Sequence, residues 1–298
     1  MGLGWPLLVH GFKGRIKYFS ANCCLDRFDV DATFDVSRYL FFHRHFADVR
    51  PALLSKGACV KFPTQPIPAT FVRRYKRFFS DHRLEGQDEV VTASCPNTGR
   101  MTGLLTEGAR SWISPVDSKT RKLKWDWHMI EAPDQHGEWG LVGMNTALPN
   151  KLVREGIEDG TITELQGYSH IRPEQRYGDQ NSRIDLLLSS EQRPDCYVEV
   201  KNCHLRRRDD LAEFPDAVSA RAAKHMEELA LMVSRGHRAV VVFCVQRMDC
   251  QQFDVARDVD PMYDAAFQSA RAAGVEVLAY ACHLSFDQIK LSHAIEVL

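Results

Sequence analysis

The sequence predicts an α/β chain in two parts, a small β-barrel followed by an α/β sandwich around a mixed sheet. Three observations predict it. Runs of β-branched and aromatic residues broken by glycine turns fill residues 69–144, helix-length and strand-length apolar patterns alternate from residue 145 onward, and Arg238 to Val245 is almost wholly apolar, as a strand covered on both faces must be.

With 298 residues, 44% of them hydrophobic and 26% charged, the chain can bury one large core or two modest ones, and its length favours two. The longest apolar run, Ala239 to Val245, is strand length, so no membrane span is expected. Met1 to His10 lacks the basic start and long apolar stretch of a secretory leader. Nine cysteines, an odd number with no Cys-x-x-Cys pair, fit neither a disulfide framework nor a zinc ribbon and point to a reducing, cytoplasmic setting. The net charge of -1 means that any attraction for nucleic acid must come from a local basic face.

Residues 1–60 show no sustained period and run into Pro63, Pro66 and Pro68; they read as an extension, poorly ordered or produced by a start codon assigned too far upstream. Strands are expected at 69–80, 89–94, 110–116, 124–131 and 138–144, with turns at Gly86, Gly108 and Gly137. Five short strands suggest an OB-like barrel over 61–144. From 145 to 298 the order is helix, two strands, helix, strand, helix, strand. Thr146 to Asp159 reads as a helix stopped by Gly160, and Arg183–Ser189 and Asp195–Asn202 as strands around a Glu191–Pro194 turn. A second helix should open at Pro215 and end near Gly236, with Val218, Ala222, Met226, Leu229 and Val233 on its apolar face. A third runs from Pro261 to Ala273, before a last strand at Val275–Cys282.

The sharpest chemical signal is Ser-Arg-Ile-Asp185 followed fourteen residues later by Glu199-Val-Lys201, the layout of the PD-(D/E)XK nuclease motif. Two residues apart on a strand, Glu199 and Lys201 share one face, while Val198 and Val200 face the other way. A hairpin symmetric about Gln192 sets Asp185 opposite Glu199. Two facing carboxylates repel unless a cation lies between them, and hard Mg²⁺ (or Mn²⁺) suits two acids plus a substrate phosphate. Asp185 and Glu199 are therefore the candidate metal ligands, and Lys201 the group that neutralises the reacting phosphate. The bland alternative is an exposed Glu199–Lys201 pair worth a few tenths of a kcal/mol with Asp185 unrelated. Glu164 or Glu174 would add a further acid ligand. Arg221 and Lys224, three apart on the second helix, are placed to reach phosphate, and His225 is either a core histidine or a catalytic one.

Between Lys61 and Lys124 stand 12 Lys or Arg against 6 Asp or Glu. Two stretches interleave cations with rings: Arg73-Arg74-Tyr75-Lys76-Arg77-Phe78-Phe79, and the segment carrying Lys122, Lys124, Trp125 and Trp127. The combination suits a phosphate backbone with stacked bases, although alternating rings also belong in barrel cores. Asn97 and Thr98, in Cys95-Pro96-Asn97-Thr98-Gly99, close a tight turn; if that turn faces the domain boundary they line the cleft, together with Asn145 and Thr146.

Arg74-Tyr75-Lys76-Arg77-Phe78, the Cys95–Gly99 loop, Val142-Gly-Met-Asn145-Thr146, Ser182-Arg183-Ile184-Asp185, Pro194 to Lys201 and Phe214-Pro215-Asp216-Ala217-Val218 occur together and in order. On these motifs the chain from Lys61 onward resembles the bacterial sugar fermentation stimulation protein family. The resemblance implies an OB-like domain, a PD-(D/E)XK nuclease-like domain, DNA as partner and a link to sugar, particularly maltose, metabolism. Two functions are carried forward: a Mg²⁺-dependent DNA endonuclease, which is preferred, and a non-catalytic DNA-binding regulator of sugar genes. RNA as substrate is a third reading. Cutting both strands of a duplex would call for a homodimer, though no interface is legible.

Overall fold

A computed structural model describes residues 60–298. The expectation for residues 1–59 lies outside the described residues. The first strand, β1 (Val60–Lys61), is followed by β2 (Ile67–Tyr75), β3 (Phe79–Leu84), β4 (Val90–Ser94), β5 (Arg110–Pro115), β6 (Trp125–Pro133) and β7 (Trp139–Gly143). The strand order β4-β3-β2-β5-β6, with a β4–β6 pairing at Ser94 and Asp126, closes a five-stranded OB barrel, and β7 extends it from β6. Alternating inward residues build its core: Phe71 stacks on Trp127 at 5.2 Å, with Ala69, Ala93, Ile113 and Ile130 around them.

The count of five was right, but its membership differs from expectation. The run at 69–80 is a hairpin, turned at Lys76 (φ 48°) and Arg77 (φ 63°), positions where glycine or asparagine would have signalled the turn. The final run at 138–144 is β7, outside the closed ring.

Past the barrel come α1 (Pro149–Glu158), a 3-10 turn at Thr163–Leu165, β8 (His170–Tyr177), β9 (Ser182–Ser190), β10 (Arg193–Cys203), β11 (Leu205–Arg208), β12 (Leu211–Phe214), α2 (Ala220–Ser234), β13 (Arg238–Val245), β14 (Gln252–Val255), α3 (Pro261–Ala272), β15 (Glu276–Leu284), β16 (Gln288–Ala294) and β17 (Glu296–Val297). A seven-stranded mixed sheet has the order β1-β16-β15-β13-β10-β9-β8, its centre β10, β13 and β15 parallel and its flanks antiparallel. Strands β11, β12, β14 and β17 form a second, smaller sheet. The strand β13 is covered on both faces, as its apolar run required. Val240, Val242 and Cys244 join α1 in one core, while Val241, Phe243 and Val245 join α2 and α3 in the other. No described helix is long and apolar enough to cross a membrane. All six described cysteines are free and buried.

Two helix starts differ from the sequence reading. Helix α1 opens at Pro149, because Thr146 is held outside it by donating its hydroxyl to the Pro96 carbonyl at 2.9 Å. Helix α2 opens at Ala220 and not at Pro215. The Ser219 hydroxyl caps it by accepting from Ala222 N at 3.2 Å, and Asp216 is engaged elsewhere, accepting from Met101 N at 3.0 Å. Val218, expected on the apolar face, is 72% exposed. Strands β8, β11, β12, β14, β16 and β17 were not anticipated; those at sheet edges are short or polar, as β8 (His-Ile-Arg-Pro-Glu-Gln-Arg-Tyr) illustrates.

Buried histidines give this fold a pH dependence. Burial pushes His82, which bonds Ser80 and Ser111 inside the barrel, down to about 4, and His204, beside Asn97 and Asn202, down to about 3. Unfolding frees both to take up protons below about 6.5, so their contribution is whole above that value and is lost as pH falls through it. The loss approaches about 3 kcal/mol for His82, and more for the further-shifted His204, once the folded value is reached. Their imidazole resonances should stay at neutral positions from about pH 7 to 5 in the folded protein. A titration midpoint near 6.5 for either would contradict its burial.

Candidate active site

The three motif residues come together. Pairing of β9 with β10 runs through Cys196–Leu188, Tyr197–Leu187 and Val198–Leu186, the register in which Asp185 would meet Glu199 next. There the ladder stops. The Asp185 carboxylate takes the place of a backbone carbonyl, with Oδ2 accepting from Val200 N at 2.7 Å and Oδ1 accepting from the Asn150 amide on α1 at 2.8 Å.

Glu199 pairs in register with Val241 and Lys201 with Phe243, which puts both on the sheet face covered by α2. Val198 and Val200 point into the opposite core with α1, as the two-residue spacing predicted. The bland alternative of an exposed pair does not hold, since the Glu199 and Lys201 side chains are only 3% and 11% exposed. Lys201 Nζ donates to Glu199 Oε1 at 2.7 Å. His225, from α2, shares a short hydrogen bond with the same oxygen through Nδ1, and its Nε2 lies 3.4 Å from Arg221 Nε.

The other carboxylate oxygen, Glu199 Oε2, is buried with no partner among the described residues. Burial alone would raise the Glu199 carboxyl, but His225 and Lys201 outweigh it and hold it below its ordinary value. Asp185 has no lysine or histidine bonded to it. Burial first, and then the Glu199 charge, push its carboxyl up to about 6.

In front of this group opens a cleft of about 330 Å³ lined by Glu174, Ser182, Arg183, Asp185, Arg221 and His225, among others. The flanking register pairs Pro173–Leu186 and Gln175–Ile184 put Glu174 opposite Asp185, and Glu174 takes a φ of 54° there. Of the two acids offered as a further ligand, Glu174 is thus at the cleft. Glu164 is not, since it accepts from the Tyr280 hydroxyl at 2.6 Å. Lys224 also lines the cleft and donates to the Gln180 carbonyl at 2.7 Å. No cluster of three His, Cys, Asp or Glu among the described residues forms a ready-made metal cage.

Asn97, Asn145 and Thr146 lie at the seam between barrel and sheet, away from this cleft. Asn97 is buried against His204, the Asn145 carbonyl accepts from Gln246 Nε2 at 3.0 Å, and Thr146 bonds Pro96. Thr98 is exposed on the same loop. Among the basic candidates, Arg74 proves to be a strut, donating to the carbonyls of Arg77, Asn97 and Gly99, and Arg73 pairs with Asp81 at 2.8 Å. Lys124 is tied to the Ser118 carbonyl, and Trp127 is fully buried in the barrel. Lys76, Arg77 and Lys122 are exposed.

Sequence reasoning missed Asn150 and Tyr177. The only sequence signal for Asn150 is its place just after Pro149 at a helix start. Tyr177 is buried with an unpartnered hydroxyl and feels the charges of Glu199, Glu228 and Asp185. Beside it Gly178 (φ 67°) is obligatory, because a Cβ there would collide with the Glu228 carboxylate.

The Asp185–Glu199 repulsion has a measurable sign. A carboxyl raised in the fold binds its proton more tightly folded than unfolded, so its ionisation above about pH 6 destabilises the protein. Asp185→Asn should therefore stabilise the metal-free protein at neutral pH, by about 1 kcal/mol or more in urea unfolding. A loss of stability of that size would mean that the Val200 and Asn150 bonds outweigh the repulsion.

The chain matches the family model of the sugar fermentation stimulation protein RE domain over residues 147–288, and that of the SfsA N-terminal OB domain over 72–142. A sugar fermentation stimulation protein homolog from a Jannaschia species is 51% identical over 238 residues, spanning 80% of this chain and 97% of its own. A homolog from Agrobacterium fabrum is 50% identical over 231 residues, spanning 78% and 94%. The structure of SfsA from Pyrococcus furiosus, solved in complex with Ca²⁺, superposes with a TM-score of 0.69 at 25% identity, covering 82% of this chain and 100% of that one. The resemblance drawn from the motifs is met, and the chain belongs to the sugar fermentation stimulation protein family, an OB barrel followed by a mixed-sheet domain.

Proposed function

We propose that this chain is a divalent-metal-dependent nuclease acting on DNA, with Asp185 and Glu199 as metal ligands and Lys201 as the cation that stabilises the reacting phosphate. The observation that carries the reading is the buried, partnerless Glu199 Oε2 beside an Asp185 carboxyl pushed up to about 6. Two such oxygens need a positive charge, and the oxygen-only donor set suits Mg²⁺ or Mn²⁺, which take one or two carboxylates and leave room for water and phosphate. The Ca²⁺ in the Pyrococcus furiosus relative is a hard dication of the same kind.

When bound, the ion would polarise a phosphoryl oxygen and supply an activated water. The protein's own groups do the rest. Lys201, steered by Glu199 Oε1, offers its ammonium to the charge that builds on the phosphoryl oxygens as the P–O bond breaks. His225 locks Glu199 Oε1 in place, which leaves Oε2 free for ligation. Asn150 and the Val200 amide fix Asp185 in the same way. Arg221 and Lys224 at the cleft wall orient the flanking phosphates.

One observation favours a second reading. Lys201, Glu199 Oε1 and His225 already form a hydrogen-bonded cluster, which would serve equally in a non-catalytic DNA-binding regulator of sugar genes that keeps its acids for structure.

Incubation with labelled single-stranded, duplex and branched DNA, and with RNA, in Mg²⁺, Mn²⁺ or chelator, separates the readings. The nuclease yields metal-dependent products, reduced about a hundredfold or more by Lys201→Ala. Salt-sensitive binding with no products under any metal sinks the nuclease and leaves the regulator; products from RNA alone would correct the substrate.

A further inference from the structure

The turn between β2 and β3 is built in a way that barrel stability does not explain. Its tip carries Phe78, 57% exposed, between strands that end in aromatic residues packed on each other: Tyr75 and Phe79 stack at 5.5 Å, and the Arg73 guanidinium lies over Tyr75 at 5.1 Å. Lys76 and Arg77 both take positive φ, where a solvent-facing turn would favour glycine or asparagine. Non-glycine backbone held at positive φ clusters at functional sites, and here it presents an apolar ring to water. The turn is also rigid, because Arg74 donates to three carbonyls, at Arg77 (3.1 Å), Asn97 (2.9 Å) and Gly99 (3.1 Å).

These bonds set the turn against the 97–101 loop. That loop in turn is bonded to the segment leading into α2, through Asp216 Oδ2 accepting from Met101 N at 3.0 Å. Three residues after exposed Val218 comes Arg221, on the wall of the cleft. Hydrogen bonds and chain continuity thus link the turn, through the loop, to the segment that leads into the cleft wall. The cations of the turn and loop, Lys76, Arg77 and Arg100, and those of the cleft wall, Arg183, Arg221 and Lys224, make no ion pair among the described residues, although the chain as a whole is near neutral. Unpaired cations leading to an exposed ring fit a phosphate backbone whose base has left its stack.

We infer that the β2–β3 turn is a finger for an unpaired stretch of DNA next to the cleft, with Phe78 stacking on a base and the unpaired cations following the backbone. The inference rests on the nuclease or DNA-binding reading and names its substrate class, DNA with a single-stranded segment. A base-paired duplex offers no free base face to Phe78. Because the finger is held by Arg74 before any ligand arrives, little ordering cost opposes the contact.

The test is fluorescence anisotropy in chelator, so that nothing is cut. The probes are labelled oligonucleotides of about twenty nucleotides, long enough to exceed an OB-domain site, as single strand, blunt duplex and tailed duplex. Phe78→Ala should weaken binding to the single strand and the tailed duplex about tenfold while leaving blunt duplex unchanged, and Phe78→Tyr should restore it. Equal affinity of Phe78→Ala and the parent for single strand overturns the inference. So does an equal loss on every probe, and so does a parent that prefers blunt duplex; each of these leaves the nuclease reading standing. A parent that binds none of the probes at low salt fails that reading itself and takes the inference with it.

Discussion

The structure turns on one unfavourable arrangement, two buried carboxylates that feel each other's charge where β9 and β10 part. A continuous ladder would have satisfied the Val200 amide with a backbone carbonyl; instead Asp185 satisfies it with a side chain. That exchange fixes the Asp185 carboxylate at the wall of the cleft. Everything nearby compensates for the charge. Lys201 and His225 converge on one Glu199 oxygen, Asn150 and Val200 on the Asp185 carboxylate, and the remaining oxygen is left buried without a partner. A fold selected for stability alone would place apolar residues here.

The surrounding layers make that compensation durable. With both faces of β10 covered, Glu199 cannot swing out to water, and α2 supplies His225 from a helix anchored at each end. Ser219 caps the start and itself donates its amide to Asp260 Oδ2 at 2.8 Å. At the far end Arg235 holds Asp179, next to the Gly178 turn that accommodates Glu228. The helix that carries Arg221, Lys224 and His225 is therefore held by contacts at both of its ends, which preorganises the polar group beside Glu199.

Much of this was legible in the residues. The spacing of Glu199 and Lys201 gave their shared face, the midpoint at Gln192 gave the Asp185–Glu199 register, and the apolar run at 238–245 gave a doubly covered strand. These are local periodicities, which a sequence states directly. What it could not state was tertiary choice. Pro215 has the look of a first helical residue, yet Asp216 is drawn off to the barrel and the helix waits for Ser219. Arg74 and Arg77 lie three residues apart in one turn and are chemically alike, but one became a strut and the other stayed in solvent, a division decided by carbonyls 23 and 25 residues away. Asn150 carried no motif, and its role exists only because α1 packs over the end of β9.

The first described strand has a topological meaning. Val60 and Lys61 pair with β16 at the edge of the large sheet, and only then does the chain build the barrel and return to the same domain at α1. The barrel is thus an insertion anchored at both ends, and not a module on the end of a tether. A tethered module samples an effective concentration set by its linker; a doubly anchored one has a fixed address. The barrel is therefore held at a set offset from Asp185, and gene fusion or domain shuffling could not readily detach the one from the other.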